Sequence, residues 1–350
     1  MDLEIRLFVI DDSAVMRQMI TKIVEKDKHI RIVGRARNGR EAVDRIVKLK
    51  PDVVTLDVEM PLMDGLETLK KIMEIYPVPV VMLSAVTGKG AHTTLKALEL
   101  GAVDFILKPA NQEELEQLAF ELPAKIKLAA TVPVAAKHFT AGVQHLSLET
   151  FPQLAIRPGG IRLVVIGTST GGPSALQKVV PKLPKDIPAG VLIVQHMPEG
   201  FTRALAERLN QSSHIFVKEA QEGDLIKPGL ALVAPAGRQM YVEKGLGGAH
   251  ITLRSEANVS TVFKPSVDVT MLSAAEVYGN SVLGVIMTGM GSDGVRGLKE
   301  IKRRGGSCLA EAEQTCTVFG MPKAAINAGV IDEIHPVDSI AAAIIRAVGK

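Results

Sequence analysis

Three segments hold side chains from which acyl chemistry could be built. The apolar run "LVVIGTSTGG", residues 163–172, ends in a Gly-x-Ser-x-Gly turn, Gly167-Thr168-Ser169-Thr170-Gly171. Such a turn, placed after a strand and before a helix, exposes the serine hydroxyl and lets nearby N–H groups face an oxyanion. The same loop could cradle a phosphate, but it has neither the Walker lysine nor a Gly-x-Gly-x-x-Gly spacing. Taken alone, it leans only slightly toward a nucleophile. His196 follows the apolar run "GVLIVQ", and Asp293 lies in "GMGSDGVRG" after another apolar run. Singly, His196 reads as a core or capping residue and Asp293 as an Asx turn before Gly294. Together, at three strand ends, they supply a nucleophile, a general base and an orienting carboxylate. Their order, Ser–His–Asp, is not the Ser–Asp–His order of α/β-hydrolases, so the turn does not imply that fold.

A different chemistry is written into the first third. Apolar runs there end in Asp11 and Asp12, in Asp57, in Ser84, and in Lys108 followed by Pro109. Carboxylates with open positions suit Mg²⁺, which prefers oxygen ligands and retains waters. A lysine and a hydroxyl nearby could contact phosphoryl oxygens, and Asp57 could be the nucleophile that takes the phosphoryl group. Any one strand-end aspartate is more often a cap or turn residue. Five suitable groups at four strand ends argue against coincidence.

Both sets need a scaffold that brings strand ends together. "IRLFVI", "IRIVGRA", "DVVTLDV", "PVVMLSA" and "VDFILK" read as buried parallel strands, and amphipathic segments such as "SAVMRQMITKIVEK" lie between them. A last helix begins near "NQEELEQL" and closes this unit by about Ala129. Residues 129–158, rich in small residues and proline without a sustained period, read as a linker. The alternation then resumes with "IRLVVIG", "GVLIVQH", "LALVAP", "SVLGVIMTG" and "GSCLAEAE", with "QMYVEKG" and "HITLRS" as an inserted β-hairpin. The fold expected is α/β, with two doubly wound domains at residues 1–128 and 159–350. In such sheets functional groups collect at the carboxyl ends of the strands.

Bulk properties narrow the function. The 41 Lys and Arg against 38 Asp and Glu leave a formal charge of +3, and Trp is absent. Neither a basic footprint nor a stacking platform for nucleic acid is evident. The two cysteines give no disulfide framework. No apolar run approaches the ~20 residues that span a bilayer, and no signal peptide is expected, since "MDLEIRLFVIDDS" is charged from its second residue and lacks an apolar core followed by a cleavage site. A cytoplasmic protein is expected, with no direct membrane insertion.

Two family resemblances follow from these residues. "VIDDS", "LDVEMPLMDGLE", "VVMLSA" and "DFILKPA" resemble the signature segments of bacterial two-component receiver domains, which have a flavodoxin-like fold. That resemblance implies Asp57 as phospho-acceptor, with Mg²⁺ held by Asp11, Asp12, Asp57 and the Val58 carbonyl. Ser84, Phe105 and Lys108 match the switch positions. "IGTSTGGPSAL", "VQHMPEGFTRALAERLN", "KPSVDV", "VIMTGMGSDGVRGL" and "QTCTVFGMPKAAI" resemble the Rossmann-like catalytic domain of the CheB methylesterases of chemotaxis. Thr168 and Ser292 depart from the residues frequent in that family. The resemblance implies Ser169, His196 and Asp293 as a triad, with the Thr170 and Met290 amides at the oxyanion. It further implies hydrolysis of glutamyl γ-methyl esters on chemoreceptors, glutamine deamidation, and activation by phosphoryl transfer from the CheA histidine kinase. No cofactor is expected for the ester reaction, and a monomer is expected. The competing class is a non-enzymatic regulator in which Ser169 is only a loop residue.

Overall fold

The computed structural model describes residues 4–85, 88–133 and 160–349. The chain divides into two compact units, and the division falls within residues 134–159. From residue 134 onward the expected linker lies outside the described residues.

The first unit alternates strand and helix without exception. Its strands are β1 (Ile5–Ile10), β2 (Ile30–Ala36), β3 (Val53–Asp57), β4 (Val80–Ser84) and β5 (Asp104–Leu107). Its helices are α1 (Ala14–Val24), α2 (Gly39–Leu49), α3 (Gly65–Ile75), α4 (Gly88–Glu99) and α5 (Gln112–Ala130). All strand pairs are parallel, in the order β2-β1-β3-β4-β5. Every residue of β3 and β4 is buried, because helices cover both faces of the sheet. Polar side chains start the helices: Ser13, Asn38, Asp64 and Asn111 each accept an N–H in the first turn. At α5 the Glu114 side chain also reaches back, accepting the N–H of Ala110, which precedes the cap, and the side-chain NH₂ of Asn111. Strand order reverses between β1 and β3, so the Asp11–Asp12 loop and Asp57 meet at the sheet's switch point.

The second unit has a seven-stranded parallel sheet in the order β14-β13-β12-β6-β7-β9-β8. Its strands are β6 (Leu163–Thr168), β7 (Gly190–Gln195), β8 (Phe216–Glu219), β9 (Leu230–Val233), β12 (Val282–Ile286), β13 (Ser307–Glu311) and β14 (Glu333–His335). The antiparallel hairpin of β10 (Gln239–Gly245) and β11 (Gly248–Arg254) stands apart from this sheet. Helices α6 (Gly172–Val179), α7 (Phe201–Ser212), α8 (Val267–Tyr278), α9 (Val295–Arg303), α10 (Met321–Asn327) and α11 (Val337–Val348) complete the unit. One core cluster joins Leu163, Val165 and Ile286 of the sheet to Met240 and Ile251 of the hairpin and Met271 of α8. The hairpin thereby braces α8, whose N-terminus borders the site. Here the strand order reverses between β6 and β12, which places the Ser169 and Asp293 loops side by side.

Two doubly wound parallel sheets and an inserted hairpin are as expected. The edge strands β8 and β14 have no counterpart among the apolar runs. Both are short and partly exposed, so no buried face imprints a pattern on them. Among the described residues no helix is long and apolar enough to cross a membrane.

Candidate functional sites at two sheet edges

In the first unit the carboxylate oxygens of Asp11, Asp12 and Asp57 lie within 4.8 Å of one another. Asp11 and Asp57 are buried, and Asp12 is exposed. The Lys108 ammonium bridges the buried pair, 2.7 Å from Asp57 Oδ2 and 2.9 Å from Asp11 Oδ2. Burial pushes the Asp57 carboxyl up to about 6; the charge of Asp11 adds to this, and Lys108 and the Glu59 amide oppose it. Three converging carboxylates are the donor set Mg²⁺ takes, so these residues fit that ion. The Val58 carbonyl accepts the Gly65 N–H at 3.0 Å, which ties the end of β3 to the start of α3. Ser84 ends β4, and its hydroxyl accepts a 2.8 Å hydrogen bond from the buried Thr94 of α4. Phe105 is buried on neighbouring β5, with the Lys125 ammonium 5.6 Å from its ring centroid. Thr94 was not legible beforehand, because a threonine inside an amphipathic helix carries no strand-end signal.

In the second unit β6, β7 and β12 deliver Ser169, His196 and Asp293 to the same edge. His196 Nε2 lies 2.7 Å from Asp293 Oδ2, with both side chains almost fully buried. Asp293 also accepts the Val267 N–H at 2.7 Å, the Asp268 N–H at 3.0 Å and the Ser266 hydroxyl at 2.9 Å. These donors form the N-terminus of α8, where a negative charge is favoured. Burial raises the Asp293 pKa, but the His196 hydrogen bond and charge and the α8 amides outweigh it, leaving the carboxyl below its usual range. Its partner nitrogen is therefore the protonated one, and His196 Nδ1 is left as the basic lone pair. That nitrogen is buried and has no hydrogen-bond partner among the described residues. The Phe263 ring stacks on the imidazole at 4.0 Å and 5°, which limits its rotation.

Ser169 is joined to His196 through Gln195, the last residue of β7. The buried Gln195 amide donates at 2.9 Å to the carbonyls of both Ser169 and His196, and accepts the Thr168 hydroxyl at 2.6 Å. The His196 N–H donates to the Thr168 carbonyl at 3.1 Å. In a trans peptide the N–H points opposite to the C=O, so fixing the Ser169 carbonyl also aims the Thr170 N–H. Gly171 makes the turn at φ 78, a backbone conformation that side chains disfavour. Thr288, which follows β12, donates its hydroxyl to the Thr170 carbonyl at 2.9 Å. Met290, two residues further on, is half exposed. The structure thus pairs His196 with Asp293, and it links Ser169 to His196 through the Gln195 amide and the Thr168 backbone. Gln195, Ser266, Phe263 and Thr288 were missed by sequence reasoning. Only the position of Gln195 beside a strand-end histidine offered a signal.

The arrangement defines a two-unit protein in which a receiver-type sheet precedes a parallel-sheet hydrolase unit. Comparison with known proteins agrees. The CheB methylesterase family profile matches residues 164–344, and the response regulator receiver domain profile matches residues 7–120. A protein-glutamate methylesterase/protein-glutamine glutaminase of Archaeoglobus fulgidus is 48% identical, covering 97% of this chain and 97% of that protein. A protein of the same name from Bacillus subtilis is 45% identical, covering 99% of each. The crystal structure of the Thermotoga maritima CheB methylesterase catalytic domain aligns with TM-score 0.52 and 42% identity. That alignment covers 53% of this chain and 97% of the Thermotoga one. The chain belongs to the CheB methylesterase family, carboxylic ester hydrolases that here carry an N-terminal receiver domain.

Proposed function

We propose that this chain hydrolyses glutamyl γ-methyl esters on chemoreceptors through a Ser169–His196–Asp293 triad, and that phosphoryl uptake at Asp57 switches it on. The observation that carries the triad is the His196 ring, with one nitrogen bonded to a buried carboxylate and the other buried and without a hydrogen-bond partner among the described residues. Nδ1 takes the Ser169 proton as the hydroxyl oxygen attacks the ester carbonyl. The amides of Thr170 and Met290 receive the developing oxyanion. His196 then gives its proton to the departing methoxide, releasing methanol and leaving an acyl-enzyme. Water, deprotonated by Nδ1, attacks the acyl carbon, and Ser169 leaves with the proton. A glutamine side chain would enter the same cycle and release ammonia, which accounts for a glutaminase activity. Throughout, Asp293 holds the tautomer and balances the charge of the imidazolium.

In the first unit, residues 1–128, the Asp57 carboxylate attacks the phosphorus of the phosphorylated histidine on the CheA histidine kinase; the P–N bond breaks, the kinase imidazole leaves, and an aspartyl phosphate forms. Lys108 neutralises the oxygens, and Ser84 and Phe105 reposition afterwards. Asp11, Asp12 and Asp57, with the free lone pair of the Val58 carbonyl, would hold Mg²⁺, which when bound supplies charge neutralisation. The unphosphorylated unit restricts access to the ester-hydrolysing edge of residues 159–350, across the 129–158 linker. The protein acts as a cytoplasmic monomer, and the ester reaction uses no cofactor.

Ser169→Ala tests the assignment directly. Methanol release from methylated receptors is expected to fall by about 10⁴-fold or more, with phosphoryl uptake at Asp57 intact. Release above a few per cent of wild type would remove Ser169 from the mechanism.

A further inference from the structure

A row of hydrogen bonds crosses the carboxyl edge of the second sheet, and it starts at a buried carboxyl group with no role in the steps above. Glu311, the last residue of β13, has no exposed surface. Its Oε2 accepts the Thr288 N–H at 2.8 Å, and its Oε1 accepts the Thr315 hydroxyl at 3.0 Å. The Thr288 carbonyl accepts the Ser169 N–H at 3.0 Å. The Thr288 hydroxyl donates to the Thr170 carbonyl at 2.9 Å and accepts the Val318 N–H at 3.0 Å. Every polar atom of Thr288 is thereby committed, and two of its bonds end on the turn that carries Ser169.

Among the described residues no cation pairs with Glu311 at salt-bridge distance; the Thr288 amide and the Thr315 hydroxyl sustain the carboxylate directly, with lesser help from the more distant Lys178 charge and the Cys316 thiol. A desolvated charge without an ion-pair partner is costly, and burial pushes this carboxyl up from its usual range. An apolar residue would satisfy the core at that strand end equally well, but it would leave the Thr288 amide without an acceptor. The row then connects four strand ends: Glu311 of β13 holds Thr288 after β12, Thr288 holds Ser169 and Thr170 after β6, and Gln195 of β7 holds Ser169 from the far side.

We propose that Glu311 is a positioning residue for the acyl chemistry: acting through Thr288, it fixes the peptide plane ahead of Ser169 and the one beyond Thr170, and so, with Gln195 holding the plane between them, the direction of the hydroxyl and of the Thr170 amide. The inference rests on the reading of Ser169 as the nucleophile. What it requires of residue 311 is an acceptor rather than a charge. A glutamine there keeps a carbonyl oxygen for the Thr288 N–H, and its NH₂ donates to the Thr315 oxygen. The Thr315 proton already has the Ala312 carbonyl as an alternative acceptor at 3.3 Å.

The test uses the full-length chain with Glu311→Leu, Glu311→Gln and, independently, Thr288→Val, which keeps the backbone and removes the hydroxyl. Four quantities are read: kcat and KM for receptor demethylation, the rate at which a fluorophosphonate labels Ser169, and the unfolding temperature. Glu311→Leu and Thr288→Val are expected to lower kcat and the labelling rate together by about 10- to 100-fold with KM unchanged, as small displacements of reacting groups do. Glu311→Gln is expected to restore most of both. Wild-type labelling rates in Glu311→Leu overturn the inference; should that variant fail to fold, a wild-type rate in Thr288→Val does so. Glu311→Gln as poor as Glu311→Leu also overturns it, since charge rather than geometry would then matter. Absence of label from wild-type Ser169 would instead defeat the nucleophile reading itself, which separates the two failures.

Discussion

Gly289 packs against Ser169 so closely that a Cβ at residue 289 would lie 2.7 Å from the Ser169 Cβ. The same atom would also collide with the Met321 sulfur. The loop after β12 must therefore lack a side chain at that point for the serine turn to pass. Gly289→Ala is expected to push the two loops apart, costing about 1–3 kcal/mol of stability. Turnover is expected to fall at least tenfold. Fluorophosphonate labelling at a temperature where the variant remains folded checks this, and labelling at the wild-type rate would contradict it.

Asp293→Asn keeps the shape but removes the charge, and an amide can present its NH₂ to His196 and favour the wrong tautomer. A loss of up to about 10⁴ in kcat is expected. The carboxyl also contributes to stability, with a definite pH dependence. Its pKa in the folded chain is lowered, so the contribution is full above the ordinary aspartate value of about 4 and disappears as pH falls through the lowered one. The stability gap between wild type and Asp293→Asn is therefore expected to be constant at neutral pH and to narrow below about pH 4. Denaturant titrations at several pH values measure it.

Gln195→Leu removes an amide that serves the Ser169 carbonyl, the His196 carbonyl and the Thr168 hydroxyl. Buried polar groups left without partners cost about 1–3 kcal/mol. Because two of the three belong to Ser169 and His196, the proposed nucleophile and base, kcat is expected to fall more than a stability loss of that size explains. Steady-state kinetics well below the unfolding temperature separates the two effects.

Asp57 carries the opposite pH signature. Its pKa is raised to about 6, so the unfolded chain loses this proton first and stability declines as pH rises from about 4 through 6. With a chelator present, unfolding of the first unit is expected to shift downward between about pH 4 and 6.5 and to level off above that, and Asp57→Asn is expected to flatten that slope. The same variant is expected to take up no label from acetyl phosphate. Calorimetry and phosphoryl labelling report the two outcomes independently.

If the receiver restricts the catalytic edge, a fragment beginning near residue 155 is expected to demethylate receptors faster than the unphosphorylated full-length chain. An intact protein open about 1–10% of the time would gain roughly 100- to 10-fold on deletion. Acetyl phosphate is expected to activate the full chain and leave the fragment unaffected. Equal rates, with Asp57 shown to be phosphorylated, would remove the regulatory reading and leave the ester chemistry standing.

The sequence by itself determined where the chemistry could sit. Strands β3, β4, β6, β7 and β12 are buried on both faces, so each is a largely apolar run whose end is marked by polar residues. Asp57, Ser84, Ser169 and His196 stand at such ends, and Asp293 lies in the loop beyond one. Helix starts were legible for a similar local reason, since Asn111 accepts the Glu114 N–H in the first turn of α5 and the Glu114 side chain reaches back to the Ala110 N–H, all within five residues. The tertiary structure decided how those ends are connected. Which nitrogen of His196 meets Asp293 depends on contacts across 97 residues of sequence. The Thr170–Thr288 bond spans 118, and the reach of Glu311 to Thr288 depends on β13 lying beside β12. Strand order, fixed by packing of the whole core, sets these partners, and residues such as Gln195, Ser266 and Glu311 acquire their meaning only from it. The edge strands β8 and β14 escaped notice for the related reason that a half-exposed strand leaves no periodic apolar trace to read.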